Sequence, residues 1–273
     1  MTNPHATEAL KNQSTGTAPP RSTAPARKTA PAQKTTVPAR KTAPAHEPDD
    51  SLSLGEVDPV VSALSGANSQ KRLQAAMAIG TTAEAHHLDI LIERCRIEPD
   101  FFVRDMLTWA LTRMPAEVVV PRLIAELSSD VPQAQSQALH TLSKIGDSRA
   151  WAAIDPAQRG LELIGHPDAE VARSAWRSAA AQVPGDHREK LASALVTQLG
   201  RGDLETQKSL SRAIVSLGDD LVSVLDGKLQ AEEETVRTHA MATRDMFTDP
   251  DAGFAHALSE AKRVVALGSE LSE

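Results

Sequence analysis

The chain is short of the residues that mark extracellular, metal-dependent and all-β proteins. It has one cysteine, Cys95, in 273 residues. One thiol cannot close an internal disulfide or build a thiolate cluster, and its isolation fits a reducing cytoplasm. Cys95 reads as a small apolar group near a helix end. Tyrosine is absent, and aromatic residues make up 3% of the chain. Sandwiches and barrels rely on aromatic and β-branched side chains, so an all-β fold is excluded and the core must come from Leu, Ala, Val and Ile. No stretch of about 18 apolar residues occurs, so no membrane span is expected. The N-terminus lacks the apolar core of a secretory signal, and its prolines argue against an amphipathic transit helix. There is no Gly-rich phosphate loop, no zincin helix and no nucleophile elbow. His86 and His87 are adjacent and are expected to diverge on a helix. No metal or cofactor is therefore expected, and the chain reads as a non-enzymatic, cytoplasmic protein.

What is present divides into two parts of opposite charge. Residues 1–50 are rich in Pro, Ala and Thr and poor in large apolar side chains. Such a segment cannot bury enough surface to offset its ordering entropy, so a disordered tail is expected. A short unit recurs within it, from Pro25 to Thr29, Pro31 to Thr35 and Pro38 to Thr42. It carries Arg27, Lys28, Lys34, Arg40 and Lys41. Residues 1–46 net +6 in a chain of −7, which leaves −13 on the remainder. The tail resembles the Lys/Pro/Ala arms of linker-histone-type proteins, and that resemblance implies sequence-independent association with nucleic acid. A solvated linker is the plainer alternative. The repeated Thr beside Arg-Lys also offers phosphorylation sites that would reverse the local charge.

From about residue 55 the pattern turns helical, with a period in the thirties. The apolar or small residues that open a second helix are Val103, Ala134, Val171, Thr206 and Val236, at spacings of 31, 37, 35 and 30. Four residues later come Leu107, Ala138, Ala175, Leu210 and Ala240, on the same helix face. Asp100, Asp168 and Glu234 suit helix N-termini. Gly80, Gly146 and Gly218 stand where helix stops are expected, and Pro121 stands at a helix start. Leu191, Leu195 and Leu199 form an apolar stripe on one first helix, and Leu221, Val224, Leu225 and Leu229 form another. The stretches Asn68–Arg72 and Glu260–Arg263 read as polar caps on the end repeats.

The run Val120-Pro121-Arg122-Leu123-Ile124-Ala125-Glu126-Leu127, then Ser128-Ser129-Asp130, then Ala134 to Gly146-Asp147, resembles a HEAT repeat. Val103-Arg104 and Val236-Arg237 are similar to the Val-Arg pair that often opens the second HEAT helix. Ala172 and Gln207 depart from it, and Asp155-Pro156 interrupts the fourth first helix. The resemblance covers roughly residues 55–250 and extends to the lyase-type HEAT-like repeats. It implies an all-α, right-handed α-solenoid of about five or six helix pairs, occupying residues 51–273 behind the tail. In such stacks each pair buries its apolar face on its neighbours, and the second helices line a concave, partner-binding side.

Outward positions on those helices fall two and six residues after each opening residue, and about four further on. They give Asp105, Trp109 and Arg113; Ser136, His140 and Lys144; Arg173 and Arg177; Lys208, Arg212 and Ser216; and, in the last pair, Thr238, Ala242 and Asp245. A basic strip on an acidic body suits an acidic peptide or protein surface. Trp109 is either an exposed anchor or part of the core, whereas Trp176 reads as core. Asp105, Trp109 and Arg173 also faintly resemble the groove residues of HEAT-like DNA glycosylases, without a matching motif. The leading expectation is protein binding through this face, with nucleic-acid association as the alternative and no membrane partner.

Overall fold

A computed structural model describes residues 58–249 and 254–270. The basic residues Arg27, Lys28, Lys34, Arg40 and Lys41 lie outside the described residues. Among the described residues there is no strand, and no helix is long and apolar enough to cross a membrane.

The helices fall into six successive pairs. The first pair is α1 (Pro59–Leu64) with α2 (Ser69–Thr82), and the second is α3 (Leu88–Ile97) with α4 (Phe101–Arg113). The third is α5 (Ala116–Glu126) with α6 (Pro132–Ile145). In the fourth, α7 (Trp151–Ile154) and α8 (Gly160–Ile164) stand together against α9 (Ala169–Gln182). The fifth joins α10 (Arg188–Leu195) to α11 (Leu204–Val215). The sixth replaces its first helix with a run of 3-10 turns, Asp219–Lys228, ahead of α12 (Glu234–Thr248). A last helix, α13 (Phe254–Glu270), follows. The second helices pack in one row, each on the next: α2 on α4, α4 on α6, α6 on α9, α9 on α11 and α11 on α12. This is an all-α helical solenoid.

The spacing of apolar residues explains that row. Val103, Ala134, Val171 and Thr206 are buried, as are Leu107, Ala138, Ala175, Leu210 and Ala240, while Val236 is half-buried. Asp100 and Asp168 accept hydrogen bonds from the first free N–H groups of α4 and α9. Glu234 sits inside the first turn of α12 without capping it, so it acts through the helix dipole.

Three punctuation marks read from the sequence behave differently. Gly146 ends α6 in the left-handed region at φ +69°, as expected. Gly80 does not end α2. It is buried inside the helix, where a Cβ would stand 2.4 Å from the Trp109 ring and 2.9 Å from Ala110 Cα. Its missing side chain lets α2 and α4 approach, and α2 ends instead at Ala83, at φ 53°. Pro121 lies inside α5, which already begins at Ala116 behind Pro115. Its missing N–H costs the helix one bond on an exposed turn. The break at Asp155-Pro156 occurs as read, separating α7 from α8.

One hydrogen-bonding device closes the turn inside each pair. The residue after the opening position reaches back to donate to carbonyls of its own turn. Arg72 serves Gly66 and Ala67, and Arg104 serves Glu98 and Pro99. Gln135 serves Leu127 and Ser129, Gln207 serves Gly200 and Gly202, and Arg237 serves Ala231 and Glu232. In the fourth pair this position is Ala172, which has no donor. Arg201, from the turn of the fifth pair, supplies it to His166 and Pro167. The departures at Ala172 and Gln207 thus have physical substitutes.

Buried polar groups fix the neighbouring pairs. Glu98 is fully buried and receives Arg72 through two bonds of 2.8 Å and Arg94 through one of 2.6 Å. Arg72 is therefore a buried link between the first two pairs rather than a polar end cap. At the other end, the Gly200 N–H donates to His239 Nδ1 at 2.9 Å. This places the ring hydrogen on Nε2, which faces Ser211 Oγ at 3.0 Å and the Gln207 carbonyl at 3.1 Å. Ser211 Oγ also bonds Thr243 Oγ1 at 2.7 Å.

The last pair is covered. Phe254, Ala257, Leu258 and Ala261 of α13 pack on Ala242 and Met246. Thr238 and Ala242, read as outward, are consequently buried, whereas Asp245 stays exposed. Arg263 pairs with Glu260 at 2.7 Å on the far side of α13, in keeping with a polar end cap.

Candidate functional site

The inner row carries a groove of about 540 Å³ across α4, α6 and α9. Phe101, Arg104 and Asp105 form one wall, and Asp168, Glu170, Arg173, Ser174 and Arg177 the other. Pro132, Gln133, Ser136, Gln137 and His140 lie between them. The floor is held rigidly. Gln133 Nε2 donates to the carbonyls of Cys95 and Glu98, both at 2.9 Å. Gln137 Nε2 donates to Thr108 Oγ1 at 2.7 Å and to the Arg104 carbonyl at 3.1 Å. Cys95 itself is buried, and burial pushes its thiol up to about 12, so it is an apolar filler rather than a nucleophile.

The groove's electrostatics centre on two arginines. Arg173 pairs with Glu170 at 3.0 Å. Arg177 has no carboxylate partner among the described residues. Its Nε donates to the Arg173 carbonyl and its Nη2 to Ser174 Oγ, each at 3.2 Å. Partial burial, and then the charge of Arg173, lower its pKa. Burial, followed by Arg177 and Lys144, also lowers the pKa of His140 against a smaller opposing pull from Asp105. His140 therefore stays neutral at neutral pH, and the positive charge belongs to the arginines. Asp105, Asp168 and Glu170 interrupt it, which sets this groove apart from a continuous phosphate-binding strip.

Five residues of the predicted strip meet here: Asp105, Ser136, His140, Arg173 and Arg177. Trp109, Arg113, Lys144, Lys208 and Arg212 lie outside the groove lining. Trp109 is 38% exposed with its ring against Gly80, so it is partly packed and partly open to solvent. Lys208 pairs with Glu205 at 3.6 Å. Trp176 is fully buried and donates from Nε1 to the Ile164 carbonyl at 2.9 Å. The glycosylase-like trio is not assembled, since Trp109 does not join Asp105 and Arg173 in the groove.

The sequence reading missed Phe101 and its neighbourhood. The outward stripe continues one turn towards each helix start, to positions occupied by Phe101 and Pro132. Phe101 and Phe102 are 66% and 72% exposed beside Ile97 at 60%, in a chain with four Phe. The Arg104 guanidinium carbon lies 5.9 Å from the centre of the Phe101 ring. An exposed aromatic pair rimmed by charge is the kind of patch that marks an interaction surface. His86 and His87 were misread as diverging. They share the 3-10 turn Ala85–His87, with ring centres 3.9 Å apart.

Fold and groove define an all-α helical-repeat protein with a mixed-charge cleft on its inner row. No family model matches the chain, and no curated protein resembles it closely. Among solved structures it is similar to the complex of CpcE and CpcF of phycocyanin lyase from Nostoc sp. The identity is 19% and the TM-score 0.41, over 77% of this chain and 84% of that one. It is also similar to two engineered proteins. One shares 21% identity at a TM-score of 0.39, over 69% of this chain and 95% of that one. The other shares 19% identity at 0.40, over 69% and 96%.

Proposed function

We propose that the protein is a non-enzymatic repeat scaffold that holds an acidic, aromatic- or aliphatic-bearing segment of a protein partner in the α4/α6/α9 groove. The observation that carries this reading is Arg177, without a carboxylate partner, in the same cleft as the exposed Phe101. A guanidinium is weakly hydrated and binds carboxylates in a planar fork, while exposed aromatic surface favours an apolar side chain at the rim. The basic segment at residues 1–50 adds reach and tunable charge.

The test is an anisotropy titration with labelled peptides that place one Phe or Leu among Asp and Glu. Charge reversal in Arg177→Glu should weaken binding about tenfold or more, mainly through the loss of charge complementarity. Equal binding by the native chain and this exposed-site variant would remove the groove from the function. A double-stranded DNA probe of equal charge is the control, and tighter retention of DNA than of any peptide would overturn the protein-partner reading.

A further inference from the structure

A second cluster lies away from the groove, where the start of α1 meets the turn before α3. Asp58 caps α1 through Oδ1, which accepts the Val60 N–H at 2.8 Å. Its other oxygen, Oδ2, stands 2.9 Å from His87 Nε2. His87 is buried to all but 8% of its side chain, and its Nδ1 has no hydrogen-bond partner among the described residues. The exposed ring of His86 lies beside it, tilted by 41°. One donor atom from each of Asp58, His86 and His87 falls within 4.8 Å of the other two. Glu84 Oε2 is 3.3 Å from His86 Nδ1.

We propose that Asp58, His86 and His87 bind a divalent transition ion of the zinc class. Such an ion holds nitrogen and oxygen donors at about 2.0–2.2 Å, so adjacent ligands sit roughly 2.8–3.6 Å apart, the short end at octahedral angles and the long end at tetrahedral ones. The Asp58–His87 separation of 2.9 Å meets that span. A hydrogen bond alone also gives this distance, but it accounts for neither the third donor nor two imidazole rings with centres 3.9 Å apart. Two imidazoles and one carboxylate suit Zn²⁺, Co²⁺, Ni²⁺ or Cu²⁺, whereas Mg²⁺ and Ca²⁺ require oxygen donors throughout. Glu84 is placed to orient His86. With His86 exposed and Asp58 half-buried, the site is shallow and water completes it. Binding joins the start of α1 to the start of α3 and so clasps the first of the described repeats.

The tag-free full chain is titrated with ZnCl₂ by calorimetry and by thermal melting. One ion per chain is expected, with a Kd in the low micromolar range and a Tm raised by a few degrees through linkage. MgCl₂ and CaCl₂ should leave the Tm unchanged. His86→Ala, at an exposed position, should keep the metal-free Tm and weaken Zn²⁺ binding about tenfold or more. Asp58→Asn keeps a capping side chain and should weaken binding likewise. No Tm shift at about a hundredfold excess over that Kd, or an unchanged stoichiometry and Kd in the double variant, overturns the site. Neither readout depends on the groove.

Discussion

The two ends of the inner row solve one problem in opposite ways. Between the first two pairs, the polar groups trapped among helices are fully ionic, with Glu98 held by Arg72 and Arg94. Between the last two they are neutral, with His239 shared among Gly200, Gln207, Ser211 and a Ser211–Thr243 contact. Burial alone would raise the Glu98 carboxyl, yet bonds from Arg72, Arg94 and the Asp100 N–H override it and hold the group down at about 2. Burial does the reverse for an imidazole and, against a smaller contribution from the Gln207 carbonyl, brings His239 down to about 4. One junction needs its charge and the other needs to stay uncharged, so they have different chemical weak points.

The comparison can be broken most severely at Glu98. Glu98→Gln leaves two buried or half-buried guanidinium groups without their anion and should cost about 3–5 kcal/mol in urea unfolding. It should also abolish the acid sensitivity that Glu98 itself causes. The folded pKa of about 2 lies below the ordinary 4.5, so that contribution is complete above pH 4.5 and disappears as the pH falls towards 2. A wild-type loss in this window that survives in the variant would contradict the assignment.

The neutral junction should fail at milder acidity. The pKa of His239 falls from 6.5 to about 4 on folding, so its contribution is present above pH 6.5 and is lost as the pH drops towards 4. That loss amounts to about 3 kcal/mol at most. Proton NMR of the His239 ring should show it still neutral at pH 5, and a titration midpoint near 6.5 would overturn this. The smallest effect belongs to Arg201→Ala, which bares the His166 and Pro167 carbonyls on a partly exposed turn. It should cost about 1–2 kcal/mol, measured as a shift in the urea midpoint.

The second helices were legible because their chemistry is local. Apolar spacing and capping aspartates act within one helix, and Val103, Leu107, Asp100 and Asp168 took the places their types require. Features that depend on a neighbour were not legible. Glycine serves either a left-handed turn or a close approach, and nothing around Gly80 distinguishes the two until Trp109 packs against it. Thr238 and Ala242 read as outward because the covering helix α13 was not counted in the period. His86 and His87 were placed on a helical wheel, which sets only their backbone directions; their rings meet at 3.9 Å through side-chain rotation, which no period encodes. In the groove, the two-and-six rule found Asp105, Ser136, His140, Arg173 and Arg177. Its extension to Phe101 required knowing how far adjacent helix starts open from one another.

The arginine loaned by the fifth turn to the fourth makes those two repeats a single inheritable unit. Arrays of this kind grow and shrink by copying or deleting whole repeats, which is harmless only where each copy is self-contained. Excision of the fifth pair would strip the fourth of the donor that Ala172 cannot provide. Shortened or grafted versions of this scaffold should therefore keep the fourth and fifth pairs together.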